Sequence, residues 1–449
     1  MSSRHLEVTI NEHAVGHLRE QNDLWEFEYA ADWIGSPQGF DLSPALARAH
    51  RRHVDGASDR PVQWYFDNLL PEEEMRTVLA KEANIAQEDA FGLLAYLGSE
   101  SAGSLVLRDP DHPSSTERGL KPLPLAELSR RIDNLPRISL TRDAPKHISA
   151  AGAQPKLLIV LRGTELFEPL PGTASTHLLK PNHLKEAYPA SVMNEYFSMR
   201  LAAAVRLPVP KVTRLYVPQP VYIVERFDRA PASGDLASPA DAWPDIRRRH
   251  IIDTCQLLNK SRAFKYTGAK LDSITRAIEF CRSKAAARLQ LYQWLVFNVL
   301  IGNGDNHLKN ISFLVEPAGI NLAPAYDLLC TAVYDTKAFA NERAHWPQSI
   351  LPFTVGTAPT FADVTHEQLL VAGQGLGLAP ATAQRELNRL VKAIPEEAAK
   401  LIESIQSRLA RDIHSSPDPA ATRRYVAAET RVLDAIKHIV INDMIRRLS

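Results

Sequence analysis

Asp305 and Asn310 stand five positions apart (310 − 305 = 5) in Ile301-Gly302-Asn303-Gly304-Asp305-Asn306-His307-Leu308-Lys309-Asn310, where an apolar, helix-like run ends in Gly and Asn. A short strand, Ile311 to Val315, follows. The turn Glu316-Pro317-Ala318-Gly319 leads to a second strand, which runs into Pro324-Ala325-Tyr326-Asp327. A carboxylate, an amide five positions on, a hairpin and a second carboxylate form the layout with which kinases build a phosphoryl-transfer site. In that layout Asp305 can take the proton of an acceptor hydroxyl. Asn310 and Asp327 can hold Mg²⁺, a hard ion that needs oxygen ligands. Asn, Gly and Asp also gather in ordinary turns. The hairpin and Asp327, placed 17 positions beyond Asn310 (327 − 310 = 17), weigh towards a site. His307 has two open readings: steadying the transferring phosphoryl group, or hydrogen-bonding the loop.

Three more segments could serve the same chemistry. Ile148-Ser149-Ala150-Ala151-Gly152-Ala153-Gln154-Pro155-Lys156 precedes a strand, and its small residues would let backbone N–H groups approach phosphates. It lacks the Walker pattern and has a single Gly, so a plain loop is the competing reading. Lys180 ends the apolar strand His177-Leu178-Leu179 and could neutralise phosphate charge, with Glu195 on the next helix holding it. The strand Tyr222 to Phe227 stands where an inter-lobe linker would, and backbone groups of Glu225 and Phe227 could pair with adenine. Alone, the loop divides evenly between the two readings, while Lys180 and the linker strand read more readily as ordinary solvated surface. Their order is that of a kinase: loop, Lys strand, Glu helix, linker strand, catalytic loop, second Asp.

The positioning elements follow from periodicity. Leu6–Ile10 and Trp25–Tyr29 alternate as strands, with a hairpin turn at Asn11–Gly16; helices are predicted at Glu72–Asn84 and Ala90–Leu97, and a strand at Ala102–Leu107. Lys156–Leu161, Thr176–Lys180 and Val221–Phe227 are β-rich. A helix is predicted from Ser191, as N-cap, with Met193, Phe197, Leu201 and Ala204 on one face. Ala285–Ile301 is predicted as a buried helix feeding the Asp305 loop. Helical patterns also cover 366–376, 382–411 and 422–447, with a break at Ser415–Pro419. The expected organisation is α+β and two-lobed: residues 1–112 an N-terminal α/β unit, 113–240 a β-rich small lobe, 241–449 a helical large lobe.

Composition narrows the partners. Lys plus Arg and Asp plus Glu both number 52, so net charge gives no support to bulk nucleic-acid or anionic-membrane binding. Arg247-Arg248-Arg249-His250 reads as a solvated turn or helix start. Cys255, Cys281 and Cys330 are too few and too scattered for a disulfide or zinc framework, which fits a cytoplasmic setting. The N-terminus lacks a signal-peptide core, and the run Leu291–Ile301 is too short to cross a bilayer.

Together these motifs resemble the HipA family, the kinase toxins of bacterial toxin–antitoxin pairs. Trp64-Tyr65-Phe66-Asp67-Asn68-Leu69-Leu70-Pro71 resembles its N-terminal signature. Ile148–Lys156, His177–Pro181, Val224–Arg229, Gly304–Asn310 and Ala325–Asp327 follow in the family's order. The resemblance implies a two-lobed kinase fold using ATP and Mg²⁺. Asp305 would be the catalytic base, aided by His307. Asn310 and Asp327 would bind the metal, and Lys180 the ATP phosphates. Ala151, Gly152, Ala153, Gln154 and Lys156 would form the phosphate loop, and Glu225 and Phe227 would meet adenine. Ser149 matches the serine whose autophosphorylation silences relatives. Phosphorylation adds nearly two negative charges, which could expel the loop from the ATP site. The resemblance further implies a small helix-turn-helix antitoxin, HipB-like, with DNA contacted mainly through it. The implied substrate is a protein of translation, chiefly an aminoacyl-tRNA synthetase. Two departures stand out: Pro155, where relatives often carry an acidic residue, removes a backbone donor, and Leu328-Leu329 replaces the Phe-Gly of protein kinases. The rival readings are a small-molecule kinase of the aminoglycoside phosphotransferase type and a catalytically silent kinase fold acting as co-repressor.

Overall fold

The computed structural model describes residues 3–112, 115–146, 154–231 and 246–448. Ser149, Ala151, Gly152 and Ala153 lie outside the described residues. The chain forms two compact units, each assembled from three separated stretches. One comprises Met1–Leu179, Glu225–Phe264 and Ser312–Ala323; the other comprises Lys180–Val224, Lys265–Ile311 and Pro324–Ser449.

The first unit is rich in strands. Its N-terminal sheet is antiparallel, in the order Arg52–Val54, Leu24–Tyr29, His13–Gln21, Arg4–Ile10, Leu105–Arg108. Alternation puts Leu6, Val8 and Ile10 on the buried face with Trp25, Phe27 and Tyr29. Asn11 and Glu12 turn the first hairpin with φ of 46° and 72°, the left-handed region that Asn tolerates well. Helices Pro61–Asp67, Glu73–Ala83 and Ala90–Leu97 follow, the last capped by Asp89, whose carboxylate accepts from the Gly92 N–H at 3.0 Å. A second group of strands sets Leu157–Arg162 between Glu165–Pro169 and His177–Pro181, of which His177, Leu178 and Leu179 belong to this unit. In a third, Ser312–Glu316 lies between His250–Asp253 and Gly319–Leu322.

The expectation that Arg247–His250 form a solvated turn or helix start is corrected. Ile246–Arg248 and His250–Asp253 are strands, and His250 is buried. The reason is a buried counter-charge that sequence spacing could not show. Glu100 is fully buried; its Oε2 accepts from Lys146 Nζ at 2.6 Å and Arg248 Nη2 at 2.8 Å. Its Oε1 accepts from Arg226 at 3.1 Å, Arg229 at 2.5 Å and Ser175 Oγ at 3.1 Å. Asp228 accepts from Arg226 and Arg229 at 2.6 and 2.9 Å, and from the Gly103 N–H at 2.7 Å. Burial alone would raise the pKa of Glu100, but Lys146 and the three arginines hold it well below the usual carboxylate range.

The second unit is mainly helical. Helix Pro380–Ser415 runs 36 residues, and Ala383, Leu387, Leu390, Ile394, Ala398, Ile402, Ile405 and Leu409 fall inward three or four apart. It packs on Lys284–Leu300, Ser191–Ala204, His366–Gly375 and Pro419–Ala435. Beyond Ala435 the chain makes one π-helical stretch, Ile436–Ile441, before Asn442–Leu448. Ser191 does not cap its helix as expected: Ala190, with φ of 51°, precedes the first turn, and the Ser191 hydroxyl accepts from the His183 N–H at 2.7 Å. The α+β class is the one expected, with β-rich N-terminal and helical C-terminal regions.

Candidate active site

The loop that carries Asp305 begins where helix Lys284–Leu300 must stop. Gly302 takes φ of +66°, and a Cβ there would meet Val440 Cγ1 at 2.7 Å and Ala332 Cβ at 2.8 Å, so only glycine fits. Asn303 then locks the turn. Its side-chain amide donates to Asn298 Oδ1 at 2.6 Å, and its Oδ1 accepts from the Asp305 N–H at 3.0 Å. The Gly304 N–H donates to Thr331 Oγ1 at 2.6 Å. Asn310 closes the loop: its Nδ2 donates to the Asp305 carbonyl at 2.8 Å, and its own N–H donates to the His307 carbonyl at 3.0 Å. The five-residue spacing is thus the span of one hydrogen-bonded loop ending in the short 3₁₀ turn Leu308–Asn310.

The Asp305 carboxylate is held from the side by Tyr266, whose hydroxyl donates to Oδ1 at 2.7 Å. The Tyr266 ring stands edge-on to His307, with centroids 4.9 Å apart and planes at 83°. His307 is buried in the loop.

A second group of charges stands in the same unit. Lys180 Nζ donates to Glu195 Oε1 at 2.8 Å and to Asp327 Oδ1 at 2.5 Å, and lies 5.7 Å from the Tyr222 ring centroid. Helix Ser191–Ala204 positions both ends of this arrangement. Glu195 faces Lys180, while Asn194 one residue earlier exchanges two 2.8 Å hydrogen bonds with the backbone of Cys330. That clamp fixes the segment bearing Asp327, whose φ of +51° is unusual for a residue other than glycine. The Tyr326 hydroxyl donates to the Lys309 carbonyl at 2.7 Å, tying the residue before Asp327 to the residue before Asn310.

Burial opposes charge on both Lys180 and Glu195. Burial pulls the pKa of Lys180 down, but Asp327 and Glu195 outweigh it and the ammonium titrates above its usual range. Glu195 is pushed up to about 7, because burial and the neighbouring Asp327 act against the one cation, Lys180. Both partners therefore move upward: Lys180 feels two carboxylates, and Glu195 feels one cation and a like charge.

The arrangement can bind a phosphate with an ammonium and accept a proton at a carboxylate. Asn310 spends its N–H groups on the loop, so its amide oxygen is the atom it can offer a cation. Asp327 has a side chain 39% exposed. Two hard oxygen donors suit Mg²⁺, which keeps waters and takes phosphate oxygens for the rest. Among the described residues no group of three or more His, Cys, Asp or Glu could hold a metal by itself.

Of the residues singled out from the sequence, Lys180, Glu195, Asp305, His307, Asn310 and Asp327 all fall in this unit. Glu225 and Phe227 belong to the other unit, at the end of strand Pro220–Glu225 and in the turn after it. Gln154 and Lys156 also belong there, flanking a buried Pro155 just before strand Leu157–Arg162. Tyr266 and Asn194 went unnoticed in the sequence, and Asn303 and Tyr222 were read only as parts of the loop and the linker strand. Tyr266 lies in Lys265-Tyr266-Thr267-Gly268, which has no periodicity to mark it.

Comparisons with known proteins bear on the whole chain. The profile of the HipA-like C-terminal domain matches residues 148–400, and that of the HipA N-terminal domain matches residues 6–108. A serine/threonine-protein kinase toxin HipA of Shewanella oneidensis is 30% identical over 421 residues, covering 88% of this chain and 89% of the relative. A putative kinase of Sinorhizobium fredii is 31% identical over 416 residues, 90% of this chain and 93% of that protein. Among solved structures, a chain of the Shewanella oneidensis complex of HipA, HipB and operator DNA superposes with a TM-score of 0.72 at 26% identity, covering 98% of this chain and 99% of that one. No helix among the described residues is long and apolar enough to cross a membrane.

Proposed function

The chain belongs to the HipA family, with both its N-terminal and C-terminal domains, and from that premise we propose that it is an ATP- and Mg²⁺-dependent serine/threonine protein kinase. The observation that carries the reading is the convergence of Lys180, Glu195 and Asp327, beside a loop in which Asn310 is hydrogen-bonded to Asp305. Lys180, held by Glu195, meets the phosphates of ATP. Asp305 takes the proton of the acceptor hydroxyl as its oxygen bonds to the γ-phosphorus and the bond to the ADP oxygen breaks. His307 backs the Asp305 loop and helps steady the phosphoryl group. Mg²⁺, when held by Asn310 and Asp327, neutralises phosphate charge. Ala151–Gln154 and Lys156 cover the phosphates, and backbone groups of Glu225 and Phe227 meet the adenine.

The same reading extends to partners. The chain is the toxin of a toxin–antitoxin pair and works in the cytoplasm. Its antitoxin is a HipB-like helix-turn-helix protein; the matched structure holds HipA together with HipB and operator DNA. A net charge of zero supports DNA contact made mainly through that partner. The substrate class is a protein of translation, with an aminoacyl-tRNA synthetase as first candidate, and Ser149 is the site of self-phosphorylation.

The test is intact mass after incubation with Mg-ATP, for the native chain and for Asp305→Gln. A phosphate-sized gain on the native chain alone, mapped to Ser149, is expected. Equal masses combined with no binding of Mg-ATP would overturn the kinase reading.

A further inference from the structure

Tyr266 touches the reacting end of the site, and no role has yet been given to it. Its hydroxyl donates to Asp305 Oδ1 at 2.7 Å. An O–H donated to this carboxylate is the hydrogen bond that an acceptor serine or threonine must make with its base. Its backbone is anchored to the same loop, since the Leu308 N–H donates to the Lys265 carbonyl at 3.1 Å. Its ring is braced edge-on by His307, and Lys265 Nζ lies 5.1 Å from the ring centroid. Yet the residue is 46% exposed, so an incoming chain can reach and displace it.

We propose that the Tyr266 hydroxyl is a built-in stand-in for the acceptor hydroxyl. This rests on the kinase reading above. Without a protein acceptor, Tyr266 occupies the proton-accepting oxygen of Asp305 and keeps water from it. The wasteful reaction it suppresses is hydrolysis. There, a water oxygen bonds to the γ-phosphorus, its proton passes to Asp305, and the bond to the ADP oxygen breaks to leave ADP and inorganic phosphate. A serine or threonine on a flexible segment replaces the Tyr266 hydroxyl with its own, exchanging one hydrogen bond for another. Water, arriving singly and unanchored, has no binding energy with which to make that exchange. The residue thereby selects for acceptors that bring contacts of their own.

Two features favour a stand-in over a phosphorylated tyrosine. The backbone tie to Leu308 and the brace by His307 hold the ring beside the base. The Tyr266 side chain also comes from the segment that the loop itself anchors, not from a free end.

The experiment uses the full chain carrying Ser149→Ala, so that self-phosphorylation does not end the assay, with and without Tyr266→Phe or Tyr266→Ala. ADP release from Mg-ATP, with no protein acceptor added, is followed beyond one equivalent, and Mg-ATP affinity is measured alongside. Both Tyr266 variants are expected to hydrolyse ATP about tenfold faster, the scale of one hydrogen bond to a charged group, with affinity unchanged. A slower Phe variant would make Tyr266 a positioning residue for Asp305 and overturn the proposal. So would an unchanged rate, or phosphate mapped to Tyr266 in the chain with the native tyrosine. If that native-Tyr266 chain neither binds Mg-ATP nor releases ADP, the kinase reading falls and takes the proposal with it. Normal Mg-ATP binding with no Tyr266 effect removes the stand-in alone.

Discussion

Glu195 stands between opposing demands at the residue scale. Its pKa is pushed up to about 7 by burial first, with Lys180 pulling down and Asp327 pushing further up. A carboxyl raised in the folded state contributes stability below its ordinary pKa and loses it as pH climbs through 7. Its value to Lys180 runs the other way, because only above pH 7 does it carry the charge that holds the ammonium. Mg-ATP affinity of the native chain and of Glu195→Gln should therefore coincide at pH 6. At pH 8 they should diverge by about tenfold in favour of the native chain, the scale of one charge-assisted hydrogen bond. Titration calorimetry at the two pH values checks this; parallel pH profiles would show that Glu195 does not hold Lys180 for phosphate. Gly302 makes a simpler demand. Gly302→Ala imposes a left-handed alanine and crowds Val440 and Ala332, and should cost about 2 kcal/mol or more in urea unfolding. An unchanged midpoint would mean that the turn relaxes freely.

Secondary-structure elements show what periodicity can and cannot reveal. Ala90–Leu97, Lys284–Leu300 and Pro380–Ser415 were legible because their apolar residues repeat at helical spacing, within a few residues at each end. The Asp305 loop stood out because the phosphoryl transfer proposed for it needs specific residue types at fixed intervals. Strand Ile246–Arg248 was not legible, because the carboxylate that engages Arg248, Glu100, lies 148 positions away. Tyr266 was hidden for the same reason: its hydrogen bond to Asp305 spans 39 positions. Two strands also carry buried histidines. His177 and His250 are each lowered to about 4 by burial, with His250 also held by Ser104, Tyr65 and Leu42. A base held neutral in this way contributes stability above pH 6.5 that is lost as pH falls towards 4. From the 2.5-unit difference (6.5 − 4), each should cost about 2 kcal/mol by pH 5. Urea midpoints at pH 7 and pH 5 measure the loss, and His250→Gln should remove roughly half of its pH dependence. An unaltered pH dependence would show that His250 is not the group responsible.

Across the whole molecule, neither compact unit is a continuous stretch of chain. The first takes its N-terminal sheet from residues before 109 and its closing strands from residues after 245. Glu100 joins these distant parts through Lys146, Arg226, Arg229 and Arg248. Glu100→Gln leaves four cations facing one buried carboxylate, Asp228. It should cost about 3–5 kcal/mol, as loss of one partner from a buried ion pair does. Denaturant unfolding checks the cost; a loss below about 1 kcal/mol, as for exposed pairs, would show that water reaches the cluster.

The order in which these charges are made adds a matter of timing. Glu100 leaves the ribosome 46 residues before Lys146 and 148 before Arg248, and the last strand of its unit ends at Leu322. At roughly 5–20 residues per second, the 222 positions from Glu100 to Leu322 (322 − 100 = 222) take about 10–40 s to synthesise. Glu100 gains its last counter-ion only when Arg248 is made, and strand His250–Asp253 waits longer still for its partner Ser312–Glu316. The interleaving thus works as a delay: the first unit of this chain cannot complete its fold until the strand ending at Leu322 has been made.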